Sequence, residues 1–153
     1  MKIDFDTAGL DELIKKMNQV ANNTERLEID KKIVKKCGQY IKPVMQTEIP
    51  RSKDNSKSGR KLKGGGSSRP THGHAADNVP VSGARVKSGS AYVEVGWKLS
   101  DNSEYFYMKF INWGTTKMPP NPIITRTIKK CENGCVQIAS DEYQNFINTK
   151  LED

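Results

Sequence analysis

Two imidazoles stand two residues apart in Thr71-His72-Gly73-His74, and two thiols stand four apart at Cys131 and Cys135. By residue type that is a zinc set, with the thiols one turn apart on a helix. The cysteines, however, fall on an apolar stripe, where a free thiol acts as a small hydrophobe. The histidines close a segment almost without apolar side chains. No metal is therefore expected. Lys61-Leu62-Lys63 followed by Gly64-Gly65-Gly66-Ser67-Ser68 has phosphate-binding residue types in the wrong order. A phosphate loop needs its lysine after the glycines, between a strand and a helix. No serine occupies a nucleophile elbow, and the adjacent Asp11 and Glu12 suit a solvated helix start. No catalytic residue and no cofactor follow from these patterns, so the chain is not expected to be an enzyme.

The remaining chemistry is electrostatic. The chain of 153 residues carries a formal charge of +7. Residues 51–74 hold seven cations (Arg51, Lys53, Lys57, Arg60, Lys61, Lys63 and Arg69) against the single anion Asp54, a net +6. The rest of the chain is nearly neutral. Such a segment buries too little apolar surface to offset its ordering entropy and reads as a flexible basic loop. It suits an acidic protein surface or a phosphate backbone. It has no aromatic residue on which bases could stack.

Around that loop the periodicity predicts one domain over 1–153. Leu10, Leu13, Ile14, Met17, Val20 and Ala21 recur at helical spacing. A second helix carries Ile29, Ile33, Cys37, Tyr40, Ile41 and Val44, with Thr24 as its expected cap, Pro43 as a kink and Pro50 past its end. Val79, Val81, Ala84 and Val86 suit short extended segments, and Ser88-Gly89-Ser90 a turn. Ala91, Val93, Val95 and Trp97 alternate with Tyr92, Glu94 and Gly96, the pattern of a half-buried strand. Glu104–Gly114, the most aromatic stretch, fits a short helix or a strand alike. Asn121 suits an N-cap and Pro122 a first helical position. A long helix follows, with Ile124, Ile128, Cys131, Cys135, Ile138, Ala139, Phe146 and Ile147 near one face and a possible bend or break at Asn133-Gly134. The expected fold class is α+β: two N-terminal helices and a long C-terminal helix packed on a small antiparallel sheet. Three cysteines of irregular spacing give no disulfide framework. No apolar run approaches membrane-spanning length, and the opening MKIDFDTAGL has no apolar signal region.

Residues 105–128, YFYMKFINWGTTKMPPNPIITRTI, resemble the hallmark of the head–tail joining proteins of tailed bacteriophages, also called tail-completion, neck or tail-terminator-like proteins. The resemblance lies in Tyr105 or Tyr107, the aromatic–Gly–Thr of Trp113-Gly114-Thr115, and the approach Met118-Pro119-Pro120-Asn121-Pro122. GLDELIKKM (9–17) is similar to the family's opening helix, and Pro50 to its stop after the second. Three positions depart from the pattern. Asn112 stands where an acid is usual, Ile123 where an aromatic is, and Thr71-His72-Gly73 matches the usual Thr-Gly poorly.

The resemblance implies a virion structural protein at the neck or tail end, made in the host bacterial cytoplasm. It would assemble as a homo-oligomeric ring, sixfold in many members, against connector and tail-tube or terminator proteins. Tyr105, Tyr107, Phe110, Trp113, Gly114, Thr115, Pro120 and Pro122 would form its assembly and fold corner. The seven cations would form an arm ordered by a neighbouring protein, with contact to DNA also open. The alternative is a small nucleic-acid-binding module acting through the same arm.

Overall fold

The computed structural model describes residues 8–54 and 73–152. The fold is α+β. Its order is α1 (Ala8–Val20), α2 (Asn23–Glu48), a 3₁₀ turn (Ala75–Asn78), β1 (Arg85–Lys87), β2 (Ser90–Tyr92), α3 (Met108–Trp113) and α4 (Ile123–Glu152). The two strands form one antiparallel sheet packed against helices. By contacts the chain divides into two compact units.

The first unit comprises residues 1–40, 82–94 and 130–153. The α1 stripe buries Met17 fully, while its acidic and basic residues stay in solvent. Asn22, not Thr24, caps α2. Its Oδ1 accepts from the backbone N–H groups of Thr24 and Glu25 (both 3.0 Å), and Glu25 reaches back to the N–H of Asn22 at 3.1 Å. That reciprocal pair is a capping box, which satisfies N–H groups the helix cannot pair itself. Across the unit Ile33, Cys131, Ala139 and Ile147 are buried.

Buried Glu142 accepts from Lys32 at 2.8 Å and from Lys36. Those bonds, the one from Lys32 first, hold its carboxyl below the usual range against the opposing effect of burial. Asn133-Gly134 does not interrupt α4, which runs unbroken through it. A Cβ on Gly134 would lie 2.5 Å from the Tyr40 ring, so glycine there makes room for a ring packed on the helix.

The hairpin is shorter than its alternation suggests. Ser88 (φ 51°) and Gly89 (φ 77°) are both left-handed, the two-residue turn whose twist matches paired strands. Lys87 pairs with Ser90, Val86 with Ala91 and Arg85 with Tyr92. Farther along, a side chain enters the pairing. Ser82 donates its backbone N–H to the Glu94 carbonyl (2.8 Å), but its hydroxyl, not its carbonyl, accepts from the Glu94 N–H (2.9 Å). A side-chain acceptor in place of a backbone one ends the regular ladder.

The second unit comprises residues 41–81 and 95–129. Its core joins Met45 and Ile49 to Ala75, Ala76, Val79, Met108 and Ile123. Val81 and Val95 form a single bridge. The 3₁₀ turn starts on His74, whose Nδ1 accepts from the Ala76 N–H at 3.0 Å. Its Nε2 lies 3.2 Å from the Ser52 N–H. A neutral imidazole has one acceptor nitrogen, so the ring serves one of these donors at a time. Arg126 donates to the Glu48 carboxylate (2.6 Å) and, at 3.4 Å, to the Glu48 carbonyl at the end of α2.

Candidate assembly corner

The corner lies within the second unit. The aromatic stretch is a turn leading into the six-residue α3. The Tyr105 ring packs against Trp97 (5.7 Å between centroids) and against Tyr107 (6.4 Å), and these residues flank the core. Desolvation, then the charges of Glu104 and Asp77, push the Tyr105 hydroxyl pKa up. The opposite side of α3 is exposed. Phe106, Phe110 and Trp113 stand four and three residues apart, the spacing of one helix face. Phe106 meets Phe110 edge to face at 6.1 Å, and the Lys109 ammonium lies 5.4 Å from the Phe110 ring. Phe110 is 41% and Trp113 53% exposed, so these two rings leave apolar surface in solvent.

Gly114 ends α3 at φ 77°, ψ −179°, a region essentially restricted to glycine. A Cβ there would lie 2.8 Å from both the Met118 carbonyl oxygen and the Pro120 nitrogen. Thr115 closes the turn that follows. Its N–H donates to the Met118 carbonyl at 2.9 Å, and its hydroxyl accepts from the N–H groups of Lys117 (3.2 Å) and Met118 (3.1 Å). Pro120 sits against Gly114, and Pro122 gives its carbonyl to the Arg126 N–H at 3.1 Å, the first turn of α4.

The α4 cap differs from the expected one. Asn112 Oδ1, not the Asn121 side chain, accepts from the Ile124 N–H at 3.1 Å. Asn121 instead donates its backbone N–H to the Ile111 carbonyl (2.9 Å). α3 and α4 are thus joined at both ends of the loop between them. The position that stood out as a departure from an acid therefore has a structural task, accepting a bond from a helix N-terminus. No sequence spacing announces a cap twelve residues ahead of the N–H it serves.

Of the seven arm cations, Arg51 and Lys53 are described. Arg51 grips Asp77 with two bonds (2.6 and 3.1 Å), which anchors the start of the segment to the 3₁₀ turn. Lys53 is exposed. Lys57, Arg60, Lys61, Lys63 and Arg69 lie outside the described residues, as do Thr71 and His72. His74 belongs to the second unit and Cys131 and Cys135 to the first. Burial, then the neighbouring Cys135, push the Cys131 thiol pKa up, as suits an inert core thiol. Among the described residues no group of three or more His, Cys, Asp or Glu side chains could hold a metal ion. Among them, too, no helix is long and apolar enough to cross a membrane. Comparison with protein-family models, curated proteins and solved structures gave no match to the chain.

Proposed function

We propose that this chain is a virion structural protein of the tailed-phage neck or tail end, one that completes or joins the tail as a homo-oligomeric ring. The observation that carries the reading is the corner: an aromatic face bearing Phe110 and Trp113, held on a glycine-restricted turn in the segment that resembles the head–tail joining family. Exposed aromatics on a rigid support have the composition of interface hot spots, because they bury large area with little rotamer entropy to lose. The reading involves no catalysis. Subunits would meet through the aromatic face, and the basic arm would meet an acidic protein surface of the connector or tail tube.

Sedimentation of the full chain over a range of concentrations tests this directly. The expected result is association to a closed oligomer, with Trp113→Ala shifting it at least tenfold in concentration toward monomer. A chain that stays monomeric alone and in the presence of tail tubes overturns the ring. Duplex DNA binding that falls steeply with salt, with no oligomer, would favour the nucleic-acid module instead.

A further inference from the structure

Within the first unit, α1, α2, the hairpin tip and α4 line a solvent-open cavity of about 340 Å³. The aromatic corner makes no use of it. Its apolar lining includes Met17 and Ile33, both buried, and Ala91. Four polar side chains break this lining: Arg26, Asp30, Ser90 and Tyr143. Two of them satisfy each other, because the Tyr143 hydroxyl donates to Asp30 Oδ1 at 2.6 Å. Arg26 is half-buried, and its recorded partner is the neutral Asn18 amide oxygen, 2.8 Å from Nη1. No carboxylate of the described residues lies within ion-pair distance of it. A guanidinium has five N–H donors in a planar fork that matches a carboxylate. One left half-buried beside a largely apolar cleft, with no carboxylate of the described residues in ion-pair distance and Asp30 engaged by Tyr143, still has donors to offer an anion.

We propose that this cavity binds a small monocarboxylate with an apolar body. The carboxylate pairs with Arg26, and the body fills the space over Met17 and Ile33. The volume falls at the small end of ligand pockets, roughly 300–1,000 Å³, which suits one compact ligand. Asp30 sets the charge. Its own negative charge, beside the same cavity, opposes a dianion such as phosphate but tolerates the single charge Arg26 can neutralise. The site is independent of the assembly reading, since it shares no residue with the corner.

The test is a titration of the ¹⁵N-labelled full chain, followed by amide chemical shifts, with three probes: 4-phenylbutyrate, its uncharged amide and inorganic phosphate. The acid is expected to bind with millimolar affinity and to shift amides around Arg26, Ala91 and Tyr143. The amide and phosphate are each expected to bind at least tenfold more weakly. Arg26→Gln is expected to weaken the acid at least tenfold, about 1.4 kcal/mol. The proposal is overturned if the acid shifts none of these amides, or if acid and amide bind alike. It is also overturned if phosphate matches the acid, or if Arg26→Gln binds the acid as the parent does. The comparison of acid with amide needs no variant, so it stands even where Arg26→Gln folds poorly.

Discussion

Replacing Gly114 by alanine separates two costs that usually travel together. Gly114 and Gly89 have the same φ, 77°, but different surroundings. At Gly89 a Cβ meets nothing within 4 Å, while at Gly114 it meets two backbone atoms at 2.8 Å. Gly89→Ala therefore reports the conformational penalty alone. A left-handed alanine costs about 1–2 kcal/mol, offset by the about 0.4–1 kcal/mol that alanine gains by restricting the unfolded chain. A net loss near 1 kcal/mol is expected. Gly114→Ala carries strain of about 1–3 kcal/mol for its more restricted region. It must also push Met118 and Pro120 outward by several tenths of an ångström, and such overpacking adds about 1–3 kcal/mol. After the same unfolded-state offset, the expected loss is about 1–5 kcal/mol, centred near 3. Urea unfolding followed by circular dichroism reads both variants on one scale. Tryptophan emission localises the Gly114 effect, because Trp97 and Trp113 both lie in the second unit. Equal losses in the two variants would refute the argument that backbone contact, rather than φ, makes Gly114 irreplaceable.

Two further variants test the joints of the fold. Asn112→Ala removes the α4 cap and is expected to cost about 1 kcal/mol in urea unfolding, whereas Asn112→Asp retains the acceptor and adds charge favourable to a helix N-terminus, so it should be neutral or stabilising. Glu142→Gln probes the buried clamp. Because the folded carboxyl titrates below its unfolded value of 4.5, its contribution is present above that pH and lost as pH falls through the depressed folded value. The variant should be less stable than the parent near neutrality by about 1 kcal/mol, a figure discounted for its half-exposed lysine partners. The gap should close in acid, and a gap constant from neutrality to below pH 4.5 would contradict the ionic account.

What was legible in the sequence is what local pattern encodes. The α1 stripe, the second helix, the turn at Ser88-Gly89 and the long final helix all follow from spacing and turn chemistry within a few residues. The hairpin's length was not legible, since alternation continues to Trp97 while a serine hydroxyl takes a backbone acceptor's place at Glu94. The continuity of α4 was not legible either. Glycine at 134 costs about 1 kcal/mol of helix propensity against alanine, and only the Tyr40 ring, ninety-four positions earlier in the chain, shows why glycine stands there.

The two missed caps make the same point about the corner. Asn22 and Thr24 are both competent caps, with asparagine the better type, and Asn112 and Asn121 are the same type, so residue type does not settle the second pair. Asn22 is chosen locally, by Glu25 three residues on, and that signal was available in the sequence. Asn112 is chosen by tertiary placement: the turn at Gly114 and Thr115 folds the chain back, and the Asn121 N–H on the Ile111 carbonyl fixes the return. Only a chain that turns at Gly114 brings Asn112 to the start of α4. Glycine, cap and exposed aromatic face are thus one construction, and a change at Gly114, which follows Trp113 directly and donates its N–H to the Phe110 carbonyl (2.8 Å), should disturb the presentation of both rings. If Gly114→Ala left a Trp113-dependent oligomer intact while destabilising the unit, the corner would be a folding device alone, and the assembly surface would have to be sought elsewhere on the chain.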